Sequence, residues 1–127
     1  MPEILVVDDS KVMRDMVAAC LRGVPGALFT QAASGLEAIE RLSLATFDLV
    51  ILDLNMPDIG GIEVLEFVRA QDKLQALPII VVTSRGDEQS RSRALGAGAT
   101  RFLTKPFTPA SILAEALSLL ESRRSTG

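Results

Sequence analysis

The chain has 127 residues, of which 48% are hydrophobic and 23% charged, with a formal net charge of −3. This balance is typical of one globular domain and excludes a disordered chain. The acidic charge argues against a nucleic-acid-binding surface, which needs clustered Lys and Arg. One cysteine excludes an intrachain disulfide, and with no histidine in the sequence any chemistry must rest on carboxylates, hydroxyls and lysine.

The sequence also bears on membrane association. No apolar run approaches the roughly 20 residues that a transmembrane helix requires. The chain begins with a strand-like segment and lacks the basic stretch and apolar core of a signal peptide. We therefore expect a cytoplasmic protein that does not bind membranes.

Short apolar segments alternate with helical patterns five times along the chain. The segments predicted as strands are Ile4–Val7, Ala27–Ala32, Leu49–Leu52, Ile79–Val82 and Phe102–Leu103. Four of them show almost no polar alternation, as strands covered on both faces of a parallel sheet require. Five β–α repeats predict the α/β class: a doubly wound, five-stranded parallel sheet in the order 2-1-3-4-5, the flavodoxin-like (βα)5 architecture.

The fourth helical segment differs from the others in its small apolar surface. Within Asp87–Leu95, Ala94 and Leu95 provide most of that surface. We infer a weakly anchored helix, which suits either a mobile element or a partner-binding face.

The chain is predicted to form one domain over residues 1–124. The last helix is expected to end near Arg123, and residues 125–127 are expected to form a frayed tail. The alternating pattern leaves no room for a second domain, a linker or a repeat array.

Polar residues follow four of the five predicted strands. They are Asp8 and Asp9 after the first, Asp53 after the third, Thr83 and Ser84 after the fourth, and Lys105 after the fifth. The carboxyl ends of parallel strands share one edge, and the first and third strands flank the switch point of this strand order. We therefore expect these side chains to converge on one small patch.

The combination of residue types in this patch indicates phosphoryl chemistry. Crowded carboxylates repel one another unless protons or a cation offset their charge, and Mg²⁺ prefers such oxygen ligands. A lysine and a hydroxyl beside the cation can hold a phosphoryl group, and a carboxylate among them can act as a nucleophile. Each residue alone also has an ordinary explanation: Asp8 and Asp9 could cap the first helix, Asp53 could be a turn residue, and Lys105 could be a surface charge.

These segments together resemble the receiver domains of two-component response regulators. The matching motifs are ILVVDDS at 4–10, DLNMP at 53–57 with Gly61, PIIVVT at 78–83, GAGA at 96–99 and KPF at 105–107. The resemblance covers about residues 3 to 122, which makes residues 1–124 the receiver domain. The set of motifs is highly specific, although any one of them is not.

The resemblance implies a magnesium site. Asp9 would bind Mg²⁺ directly through its carboxylate, with Asp8 assisting, often through water. Asp53 would complete the acidic group, and Asn55 would give its backbone carbonyl to the metal.

The resemblance also implies a phosphoacceptor and a switch. Asp53 would accept the phosphoryl group, Lys105 would contact its oxygens, and Thr83 would bond it after transfer. Movement of Thr83 would vacate space beneath the fourth helix, into which the ring of Phe102 would turn. Core packing alone explains Phe102 nearly as well, although the weakly anchored fourth helix beside it favours the switch. The family also usually has a cis bond at the position of Lys105–Pro106.

Three positions beside these residues bear on how the site works. Relatives usually carry Ala or Gly where this chain has Ser84, which is expected to slow transfer slightly. Asn55 and Arg85 occupy variable positions that flank the site and are placed to tune hydrolysis by water.

The resulting hypothesis is a signalling switch rather than an enzyme with a substrate of its own. A histidine kinase or phosphotransfer protein would phosphorylate Asp53 in a Mg²⁺-dependent reaction that the domain helps to catalyse, as it does the later dephosphorylation. A downstream target would bind the face made by the fourth helix, fifth strand and fifth helix.

Three alternatives fit the sequence less well. A flavodoxin-type cofactor binder needs a Ser/Thr/Gly-rich phosphate loop where this chain has Asp8 and Asp9. A phosphoaspartyl hydrolase carries Asp-x-Asp after its first strand, whereas here Asp53 is followed by Asn55 at that spacing. An inactive receiver-like module typically lacks an acidic residue, the threonine or the lysine, and this chain has them all.

Overall fold

The computed structural model describes the backbone of residues 1–126 and the side chains as far as Arg123. The strands are β1 Glu3–Val7, β2 Leu28–Ala32, β3 Leu49–Leu52, β4 Ile79–Thr83 and β5 Arg101–Thr104. The helices are α1 Lys11–Cys20, α2 Gly35–Leu44, α3 Gly61–Ala70, α4 Glu88–Ala97 and α5 Pro109–Thr126. All five predicted strands form, close to their predicted bounds.

The strands make one parallel sheet in the order β2-β1-β3-β4-β5, which confirms the predicted flavodoxin-like architecture. Val7 pairs with Leu52, and Leu52 pairs with Val81. Strands β1 and β3 therefore end level, and β4 continues two residues further to Thr83, so that the ends of all three strands lie at one edge of the sheet.

The sheet separates two apolar layers, because successive residues of a strand point to opposite faces. In β1, Leu5 and Val7 belong to the layer covered by α2, α3 and α4, whereas Ile4 and Val6 belong to the layer covered by α1 and α5. Every residue of β3 and β4 is buried, which explains their continuous apolar sequence. Each large aliphatic side chain buried in this way stabilises the fold by about 1.5–3 kcal/mol.

Helix α4 buries little of its surface. Of its described side chains only Ala94 is buried, which confirms the small apolar surface predicted for this helix. The helix ends at Gly98, whose φ of 117° lies in the left-handed region that favours glycine. A Cβ at this position would also collide with the side chain of Arg69.

Arg69, on α3, holds the C-terminal end of α4 in place through hydrogen bonds. Its Nε and Nη2 donate to the Gly98 carbonyl at 3.0 and 2.8 Å, and its Nη1 donates to the Leu74 carbonyl at 2.9 Å. We expect Arg69→Met to lower the free energy of unfolding by about 2–3 kcal/mol, because charge-assisted hydrogen bonds to partly buried carbonyls are lost. Urea unfolding measures the loss, with exposed Arg22→Met as the control; equal losses in both variants would contradict the prediction.

The backbone of α5 is helical to Thr126, so the predicted end near Arg123 is too early. The reason is that no proline or glycine follows Arg123 until Gly127. Of the tail predicted at 125–127, Gly127 lies outside the described residues. Among the described residues, no helix has the length and apolar character needed to cross a membrane.

Candidate functional site

The predicted polar residues meet at the carboxyl edge of the sheet. Asp8 follows β1, Asp53 follows β3, Thr83 is the last residue of β4, and Lys105 follows β5. One carboxylate oxygen from each of Asp8, Asp9 and Asp53 lies within 4.8 Å of the others. The expected convergence of acidic residues from distant parts of the chain is therefore confirmed.

Lys105 is the cation that faces these carboxylates. Its Nζ lies 2.9 Å from Oδ2 of Asp8 and 3.6 Å from Oδ2 of Asp53. The side chains of Asp8, Asp53 and Lys105 are only 6, 7 and 18% exposed, so their charges are weakly screened by water. One ammonium group does not balance three carboxylates, and the site keeps an excess of negative charge.

The electrostatics of Asp53 reflect this crowding. Burial raises the pKa of the Asp53 carboxyl above its ordinary value, and the charges of Asp8 and Asp9 raise it further. The backbone N–H of Asn55, which donates to Oδ1 of Asp53 at 3.3 Å, and the ammonium of Lys105 oppose that rise in pKa. Ionised Asp53 is thus costly in the folded state until a cation approaches it.

We expect Asp53→Asn to raise the free energy of unfolding at neutral pH without divalent cations. The pKa of Asp53 is raised above 3.8 in the folded state. Ionisation of Asp53 therefore destabilises the fold fully at a pH above the raised pKa, and has no effect on stability at a pH below 3.8. The gain from Asp53→Asn therefore shrinks as the pH falls through this window. Urea unfolding at neutral pH and at about pH 4 tests the trend. Asp72→Asn, at an exposed position, is the control, and a gain that does not depend on pH would refute the explanation.

The loop after β1 is shaped by its own hydrogen bonds. Ser10, rather than either aspartate, caps α1, since its Oγ accepts from the backbone N–H of Met13 at 3.2 Å. The N–H of Ser10 donates to Oδ1 of Asp8 at 2.9 Å, and Nη1 of Arg14 donates to the Asp8 carbonyl at 2.7 Å. The capping explanation for Asp8 and Asp9 is therefore wrong, and both remain part of the acidic group.

The loop after β3 is held from both ends. The carboxylate of Asp58 accepts from the backbone N–H groups of Gly35 and Leu36 at 3.2 and 3.1 Å, which fixes the loop to the start of α2. At the other end Gly61 lies against the chain, where a Cβ would be 2.6 Å from the Asp53 carbonyl oxygen. This close approach requires glycine and fixes the position of Asp53.

Thr83 is fully buried and does not contact a carboxylate through any described hydrogen bond. Its Oγ1 accepts from Nδ2 of Asn55 at 3.1 Å and from the backbone N–H of Arg85 at 3.3 Å. The sequence assigned Asn55 a backbone ligand role and a flanking position that could tune hydrolysis, but the contact of its side chain with Thr83 was missed. No motif encodes this contact, because it depends on how the loop after β3 lies against the end of β4.

Phe102 and the Lys105–Pro106 bond lie on and just after β5. Phe102 lies on β5, pairs in register with Val81, and packs partly buried against the apolar layer under α4. Its core packing is visible, and its role in a switch stays a prediction. The Lys105–Pro106 peptide bond is cis, as the resemblance implied.

The acidic group suits a hard divalent cation. Its ligands are carboxylate oxygens, the donors that Mg²⁺ prefers, and Asp9 is exposed, which leaves one side accessible to water ligands. The excess negative charge of the carboxylates attracts such an ion electrostatically. The residues present therefore fit Mg²⁺.

The fold and the site define an α/β protein with a doubly wound sheet and a cluster of three aspartates at its switch point. Residues 4–117 match the family described as the response regulator receiver domain, and the chain belongs to that family. It is accordingly the receiver domain of a two-component response regulator, and receiver domains are signalling switches. This membership argues against the flavodoxin-type and hydrolase alternatives.

Individual relatives support the same conclusion. The chain is 36% identical over 110 residues to chemotaxis protein CheY-3 of Vibrio cholerae serotype O1, covering 87% of this chain and 85% of that protein. The high-resolution structure of the chemotaxis response regulator CheY4 of Vibrio cholerae is 34% identical with a TM-score of 0.86, covering 94% of this chain and 98% of that one. The DrrB receiver domain activated by BeF3 is 28% identical with a TM-score of 0.85, covering 95% and 98%.

Proposed function

We propose that Asp53 accepts a phosphoryl group from the phosphohistidine of a histidine kinase or phosphotransfer protein. The observation that carries this proposal is the placement of the buried Asp53 carboxylate 3.6 Å from the Lys105 ammonium, within an acidic group that suits Mg²⁺. A carboxylate oxygen of Asp53 attacks phosphorus as the P–N bond breaks, and the imidazole leaves with a proton. The product is an acyl phosphate on Asp53.

The metal-binding residues we assign are Asp8, Asp9 and Asp53, with the backbone carbonyl of Asn55 as a further ligand. The first three already bring their oxygens within 4.8 Å of one another. When bound, Mg²⁺ would neutralise the repulsion among the carboxylates and the charge on the phosphoryl oxygens.

Lys105 and Thr83 donate hydrogen bonds to the transferred phosphoryl group. The Lys105 ammonium, already 3.6 Å from Asp53, donates to a phosphoryl oxygen and stabilises the charge that develops during transfer. The Thr83 hydroxyl then donates to another phosphoryl oxygen. The same residues position the group for the attack of water that ends the signal, so the domain helps to catalyse both phosphorylation and dephosphorylation.

The output we propose is a change in the face formed by α4, β5 and α5. Thr83 moves toward the phosphoryl group, and Phe102 turns into the vacated space beneath α4. The small buried surface of α4 and the partial burial of Phe102 support this proposal, because both allow repacking at low cost. A downstream target binds the altered face; the cytoplasmic location inferred from the sequence stays a prediction.

Intact-mass measurement after incubation with Mg²⁺ and a small phosphodonor such as acetyl phosphate tests the function. We expect the native chain to gain the mass of one phosphoryl group and Asp53→Asn to gain none. Asp72→Asn, a change of the same chemistry at an exposed position, should keep the adduct. A native chain without an adduct, or an undiminished adduct in Asp53→Asn, would reject the assignment.

A further inference from the structure

The side chain of Asn55 links the phosphoacceptor loop to Thr83. Its Nδ2 lies 3.1 Å from Oγ1 of Thr83, while its backbone N–H donates to Oδ1 of Asp53 at 3.3 Å. One residue thus contacts both the carboxylate that we propose as the phosphoacceptor and the threonine that we propose to respond to it.

The hydroxyl of Thr83 is fully engaged as an acceptor in this state. A hydroxyl oxygen has two acceptor positions, and the Asn55 amide and the Arg85 backbone N–H occupy both. Thr83 itself is fully buried, so water does not replace these partners at its hydroxyl, and the two hydrogen bonds hold the side chain in one place.

We propose that the Asn55 amide is a positioning group that holds Thr83 in its resting place and must release it when Asp53 is phosphorylated. This inference rests on the proposed function, in which Thr83 moves to a phosphoryl oxygen. The hydrogen bond from Asn55 favours the resting arrangement alone. Part of the free energy of phosphoryl recognition is therefore used to break that bond.

Substitution of Asn55 by Ala isolates this contact. The residue is exposed, so Asn55→Ala leaves no cavity, and the variant keeps the backbone N–H that contacts Asp53. Thr83→Val removes the hydroxyl while keeping the volume of the buried side chain. The two changes and their combination form a double-mutant cycle that measures the coupling between Asn55 and Thr83.

Beryllium fluoride, the phosphoryl mimic present in the DrrB relative, is the probe. It is titrated by calorimetry into the full chain at saturating Mg²⁺, and ¹⁹F NMR confirms the bound species. We expect Asn55→Ala to bind it about three- to tenfold more tightly than the native chain, the factor corresponding to one lost hydrogen bond. In the Thr83→Val background the same substitution should change the affinity by less than about twofold. Because beryllium fluoride is not hydrolysed, an effect of Asn55 on water attack does not enter this measurement.

Three results would contradict the inference or the proposed function on which it rests. Unchanged or weaker binding by Asn55→Ala overturns the inference, since the amide would then be neutral or would assist the bound state. An equal gain in both backgrounds also overturns it, because the effect would not pass through Thr83. A native chain that fails to bind beryllium fluoride at all rejects the proposed function itself, and the inference with it.

Discussion

Replacing Lys105 by Met lowers the rate of phosphoryl transfer to Asp53 by about 100- to 1,000-fold, the loss expected when one preorganised donor is removed from a buried site. The ammonium lies 3.6 Å from Oδ2 of Asp53, and its side chain is only 18% exposed. Water therefore replaces it poorly as a partner for the charge that develops on the phosphoryl oxygens. Methionine keeps most of the apolar stem, so the substitution removes mainly charge.

The rate of adduct formation, followed by intact mass at saturating Mg²⁺ and phosphodonor, measures this loss. Lys73→Met, at an exposed lysine outside the site, should keep the native rate. The affinity for Mg²⁺ should rise in Lys105→Met, because the variant loses a positive charge 2.9 Å from Asp8. A fall in Mg²⁺ affinity would show that Lys105 acts through the metal site. A loss of rate smaller than about tenfold would show that Lys105 does not stabilise the transferred group.

The fold could be predicted because its strongest signals are local. The segments Leu49–Leu52 and Ile79–Val82 are short and apolar at every position, which is typical of strands covered on both faces. Once the strand order is known, topology alone brings Asp8 and Asp53 to neighbouring strand ends. The convergence of the acidic group followed from that placement and needed no knowledge of side-chain conformation.

The contacts that hold the site in shape could not be predicted in this way. Asp58 is hydrogen-bonded to the start of α2. Asn55 is hydrogen-bonded to Thr83, which lies 28 residues further along the chain. Each contact depends on the path of an irregular loop, for which apolar periodicity carries no information. The end of α5 was placed too early for a related reason: a polar segment without proline or glycine gives no stop signal.

Replacing Asp9 by Asn should remove most of the stabilisation by Mg²⁺ and strongly reduce the formation of the adduct. Asp8 is already bonded to Lys105 and to the N–H of Ser10, and Asp53 is bonded to Asn55. Asp9 is the exposed member of the acidic group, and we assign it as the main carboxylate ligand of the metal. Loss of groups that merely orient metal ligands lowers metal affinity about 10- to 100-fold, and loss of a direct ligand costs at least as much.

Thermal and urea unfolding with and without Mg²⁺ measure this loss. They also separate it from simple damage to the fold, which would lower the stability of the variant in both conditions. At 100 times the dissociation constant, Mg²⁺ should stabilise the native chain by about 2.7 kcal/mol, and Asp9→Asn should lose most of that gain. Without Mg²⁺ the variant should be more stable than the native chain, because one of three crowded negative charges is gone. Asp72→Asn should leave both measurements unchanged. If Asp9→Asn kept the full stabilisation by Mg²⁺, the metal would have to bind elsewhere, and the acidic group at the sheet edge would lose its assigned role.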